Sequence, residues 1–88
     1  MNQINIDEIS DILYEEYVNR KAYSIVDRMS RVTHKETAIQ VLYDAIRGIT
    51  DEEKKKKFKE FIDSVTGDLE KGDFYQVKLV ALKALTRG

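Results

Sequence analysis

Few residues here are suited to chemistry, and their types narrow the possibilities quickly. The 88-residue chain has no cysteine and one histidine, which removes thiolate nucleophiles, disulfides and cysteine zinc sites. A carboxylate-bridged metal site in a helical bundle needs Glu-x-x-His, and the residue three before His34 is Arg31. As a general base His34 would need a positioned nucleophile, and neither Ser30 nor Thr33 lies in a recognisable catalytic motif. Glycine-rich phosphate loops are also missing. The expected protein is therefore not an enzyme and carries no metal or cofactor.

The pattern best suited to a ligand is basic. Arg20, Lys21, Arg28, Arg31, His34 and Lys35 occupy one stretch, and Tyr17 and Tyr23 flank it with rings able to stack on a base. Arg28 and Arg31 are expected to converge near the start of a helix at about residue 34, whose open amides suit a phosphate. The implied ligand is a phosphate-bearing small molecule or a nucleic acid, although net charge −1 speaks against broad nucleic-acid binding. A plain solvated face carries more weight for these side chains. The same holds for Lys54-Lys55-Lys56-Lys57, since Asp51, Glu52 and Glu53 precede the last three lysines by one helical turn. Asp7, Asp11 and Glu15 repeat every four residues, a line of like charge that costs a little stability unless a basic surface lies opposite, and here too a solvated face carries more weight.

Helices must position all of these groups. There is no proline, and the four glycines fall where helical patterns stop. Thr33 with Glu36, Thr50 with Glu53, and Asp73 with Gln76 have the spacing of helix-start capping boxes. They predict helices over about 34–47, 51–66 and 74–86. Gly48 is expected in a left-handed C-terminal cap, and Gly67 as the stop of the next helix, with Asp68 to Lys71 as a connector. Ala38, Val41, Leu42, Ala45 and Ile46 share one face of the first of these helices, and Phe58, Phe61, Ile62 and Val65 share one face of the second. Lys54, continuing that second face backwards, is expected to project beyond the core. The last helix is apolar over most of its circumference, so it is either central or shared with another chain.

Residues 5–31 contain no breaker, and a single helix about 40 Å long is favoured over two short ones bent at Asn19. Its apolar pattern changes phase. Ile6, Ile9, Ile12, Leu13 and Tyr17 share one face, whereas Val18, Ala22, Ile25, Met29 and Val32 lie nearly opposite. On a straight helix the first stripe would be left over, and it is expected to form an interface with another subunit, in a homo-oligomer.

Hydrophobic residues make up 42% and charged residues 35% of the chain, a balance that fits a folded domain and neither a disordered chain nor a membrane span. The expected architecture is all-α: one small antiparallel bundle of four helices, or five if the first segment breaks, with residues 1–4 and 86–88 frayed. The first residues lack a basic region followed by an apolar core, so a cytoplasmic location is expected. Function is expected to lie in contact with a protein partner, as an adaptor, regulator or inhibitor. The sequence alone assigns no family.

Overall fold

The computed structural model describes residues 5–69 and 75–87. The fold is all-α, with helices α1 (Ile6–Leu13), α2 (Ser24–Ser30), α3 (Lys35–Gly48), α4 (Glu52–Leu69) and α5 (Tyr75–Arg87), and a π-helical segment, Tyr14–Val18, that continues α1. Residues 1–4, 70–74 and 88 lie outside the described set, and with them the expected helix start at Asp73. Thr86 and Arg87, expected to fray, are helical.

The chain breaks after the π segment. Asn19 N–H donates to the Tyr14 carbonyl at 2.7 Å, the longer i to i−5 bond of a π turn. Lys21 then enters the left-handed region, with φ 63°. Its N–H reaches the Val18 carbonyl at 3.0 Å, and the Ala22 N–H reaches the Tyr17 carbonyl at 2.9 Å. This bond pair is a Schellman cap, usually built on glycine or asparagine. Lysine in its place gave no signal in the sequence, which is why the long helix over 5–31 was expected. A straight helix of about 40 Å would also outrun the longest dimension of the molecule, 33 Å.

With the break made, both apolar stripes turn onto one core. Ile9, Ile12, Leu13, Tyr17 and Val18 are buried from the first half, and Val26, Met29 and Val32 from the second. Of the expected second stripe Val18, Met29 and Val32 are buried and Ile25 is half-buried, while Ala22 is exposed and Val26 joins the core instead.

The other helices bury the expected faces: Ala38, Val41, Leu42 and Ala45 on α3, and Phe58, Phe61, Ile62 and Val65 on α4. The main packing partners close a ring in the order α1, α5, α2, α3, α4 and back to α1. Helix α5 thus sits between α1 and α2, contributing Val77, Val80, Ala81 and Ala84. The two buried alanines let the helices approach closely.

Helix starts depart from the expected boxes. His34 is the N-cap of α3 without a side-chain cap bond, and Thr33 Oγ1 lies 3.0 Å from His34 Nδ1 instead of capping the helix. Asp51, one residue beyond Thr50, caps α4 by accepting from the Lys54 N–H at 3.1 Å. The start of α1 is capped by Asn5, whose side chain accepts from the N–H groups of Asp7 and Glu8 at 3.0 and 3.3 Å. Helix α4 passes through Gly67 to Leu69, so neither a stop at Gly67 nor a connector from Asp68 is found. Gly48 is the last residue of α3 and is followed by extended Ile49. It is not a left-handed cap. A β-carbon there would collide with the Tyr17 hydroxyl, and that close approach is what glycine provides.

Candidate functional site

The break after the π segment decides the fate of each predicted site. Ile9, Ile12, Leu13 and Tyr17 are buried within this chain, and Ile6 packs against the same core. The expectation that they face another subunit is corrected on this ground, because a stripe already covered offers no surface. The inference of a homo-oligomer drawn from it loses its basis.

The basic stretch is dispersed. Arg28 pairs with Asp44 at 3.6 Å, and Arg31 pairs with Asp27 of its own helix at 3.3 Å. Asp44 is nine residues along α3 from Lys35, about 13 Å at 1.5 Å per residue, so Arg28 is drawn away from the start of α3. Arg20 leans toward Glu16 at 4.0 Å, Lys21 forms the left-handed cap, His34 is exposed beside Thr33, and Lys35 is half-buried in the first turn of α3. The convergence of Arg28 and Arg31 on that helix start is therefore not formed. Arg28 shares Asp44 with Arg47, which lies 3.1 Å from it, while Arg31 turns to Asp27, so the two arginines are held by different carboxylates.

The acidic ladder is relieved inside the molecule. Asp7 pairs with Lys83 at 3.1 Å and Asp11 with Arg87, both on α5; Glu15 pairs with Lys54 at 2.7 Å and Glu8 with Lys57 at 2.8 Å, both on α4. The Arg87 guanidinium also lies over the Tyr14 ring, 5.3 Å from its centroid. Most of these groups are about half exposed, and such pairs contribute roughly 0–1 kcal/mol each. A buried Phe or Val contributes about 1.5–3 kcal/mol. Apolar contact therefore holds α4 and α5 against α1, and the charges set which residues face which.

Glu16 differs from the ladder. Its side chain is 2% exposed, one of three consecutive buried residues that the π turn swings inward. It lies 3.4 Å from Lys54 Nζ and accepts from the Thr50 N–H at 3.4 Å. Lys54 therefore does not project beyond the core. Hydrogen bonding to Glu15 holds its ammonium above its ordinary pKa, and Glu8 does the same for Lys57. The period of an α-helix gives no hint of Glu16, because the π turn breaks that period. Lys55 and Lys56 make none of these cross-helix contacts.

Among the described residues, the outer side of α5 exposes apolar side chains. Tyr75, Leu79 and Leu82 recur at four and three residues on the outer side of α5, with Tyr75 65% and Leu82 48% exposed and Leu79 half-buried. Among the described residues no helix is long and apolar enough to cross a membrane.

These features define a small helical bundle whose ionic groups are largely engaged internally and whose last helix turns an apolar stripe outward. The chain belongs to the family described as CRISPR-associated protein (Cas_Csa5), whose model matches residues 5–83. That match runs from the cap of α1 to Lys83 and so takes in α1 to α4 and all but the last turn of α5. Neither curated proteins nor solved structures yield a match.

Proposed function

We propose that this chain is a non-enzymatic subunit of a CRISPR-associated protein assembly, and that it works by presenting the outer face of α5 to another protein. The observation that carries this reading is Leu82, 48% exposed in line with Leu79 and Tyr75 on a helix whose opposite face already fills the core. A stripe at this spacing is the usual ridge of one helix against another. Membership of a CRISPR-associated family supports an assembly as the setting.

The test is co-expression of the tagged chain with the other proteins encoded by its CRISPR system. Wild type should recover at least one of them, and Leu82→Lys should recover none while keeping its helical circular dichroism and thermal midpoint. Equal recovery by the two would set the α5 face aside. Turnover of a nucleic-acid or nucleotide substrate by the pure chain would overturn the non-enzymatic reading.

A further inference from the structure

We propose that the α5 face receives an amphipathic helix of a partner protein whose apolar ridge is edged by carboxylates, with Lys78 as their ionic contact. This rests on the subunit reading above and adds the chemistry of the partner.

The inference comes from the charges of α5. Residues 75–87 contain no acid and three bases, Lys78, Lys83 and Arg87. Two of the bases are already held, Lys83 by Asp7 and Arg87 by Asp11. Lys78 has no carboxylate within ion-pair distance among the described residues, and it lies beside the stripe, one turn before Leu82. An incoming surface therefore meets apolar side chains bordered on one side by an unmatched ammonium.

Tyr75 to Leu82 spans about 10 Å at 1.5 Å per residue, two turns of helix, the length over which one helix seats its ridge in the groove of another. A carboxylate on the partner's edge would complete Lys78 and discriminate against a basic partner. Nucleic acid fits this face poorly, since tight phosphate binding needs several cations acting together and α5 has one to give.

The experiment uses the full chain co-expressed with the other proteins of its CRISPR system, nuclease-treated, and washed at about 50 and about 500 mM salt, where screening of an exposed pair changes from weak to strong. Lys78→Glu should lower partner recovery about tenfold or more at low salt, Lys78→Arg should retain it, and high salt should narrow the difference. Amide exchange of wild type should slow across residues 75–86 when the partner is bound. This readout needs no variant to fold.

Recovery by Lys78→Glu equal to wild type, or unchanged exchange across 75–86 in the complex, overturns this inference and leaves the subunit reading in place. Recovery that vanishes with nuclease treatment identifies a nucleic-acid bridge and also overturns it. Failure of wild type to recover any partner overturns both readings.

Discussion

The hydroxyl of Tyr17 lies where a β-carbon on residue 48 would stand, and it donates its proton to the carbonyl oxygen of Ala45 one turn earlier in α3. Tyr17 comes from the π segment and Gly48 from the end of α3, so this contact fixes the distance between the first and third helices. Gly48→Ala should destabilise the protein by a net amount of about 1 kcal/mol or more. Overpacking a filled site costs about 1–3 kcal/mol, against a gain in helix propensity of at most ~1 kcal/mol. Tyr17→Phe should cost about 1 kcal/mol for the lost buried hydrogen bond. The double variant should cost less than the sum of the two, because the atom in the way has gone. Urea denaturation of all four proteins tests this, and strict additivity would contradict the contact.

Lys21 occupies the left-handed cap that ends the first segment. A side chain with a β-carbon is strained there by roughly 1–2 kcal/mol, whereas glycine is not. Lys21→Gly should therefore stabilise the protein by about 0.5–1 kcal/mol, part of the relief being offset by greater freedom of the unfolded chain. Lys21→Val should destabilise it. Thermal midpoints of the three proteins give the answer, and a less stable glycine variant would count against the cap.

Among the described residues, three groups link stability to alkaline pH. Burial, with the nearby Glu16 charge, pushes the Tyr17 hydroxyl above its ordinary value of 10.0. The carboxylates of Glu15 and Glu8 hold Lys54 and Lys57 above 10.5. Each group keeps its proton more firmly in the folded chain than in the unfolded one. Their contribution is complete below pH ~10 and is lost as pH rises through the raised values. Denaturant midpoints should be flat across this contribution below pH ~10 and fall above it. Absorbance at ~295 nm should show a phenol titrating above the ordinary tyrosine range, and that step should vanish in Tyr17→Phe.

The lysine run should divide into two kinds. Among the described residues Lys55 and Lys56 make no cross-helix pair, so Lys55→Gln with Lys56→Gln should stay within about 0.5 kcal/mol of wild type. Lys54 lies 3.4 Å from the buried Glu16, and Lys54→Gln should lower stability by more than the other two substitutions together, since it leaves that buried charge with only the exposed Arg20, 4.0 Å away. Chemical denaturation decides the order, and the reverse order would mean that Glu16 does not depend on Lys54.

Much of the fold follows from residue types and their spacing. The absence of proline and cysteine, the period of Ala38, Val41, Leu42 and Ala45, and the period of Phe58, Phe61, Ile62 and Val65 sufficed for an all-α bundle and for two of its buried faces. Hydrophobic period is a local property, written within one or two turns. The excess of apolar residues on α5 was equally visible, and it marks both the middle place of that helix and its outward stripe. The phase change between Tyr17 and Lys21 was visible too, but its meaning was not. A long helix with two partners and a broken one folded on a single core have the same local pattern.

Tertiary structure alone decided between them. A left-handed lysine and a π turn have no dependable signature in residue type, and their cost is met only by burying Ile9, Leu13, Val26 and Met29 together. The charges follow the same rule. Asp7 and Lys83 are far apart along the chain, as are Glu8 and Lys57, and no spacing rule predicts such pairs. Arg28 and Arg31 looked convergent because they are close in sequence, yet Asp44 and Asp27 claim them separately. Sequence determined which residues want burial and which helices form. The closing of the ring determined which ionic groups are engaged and left the α5 stripe uncovered, because each pairing waits on helices that meet only after the core has formed.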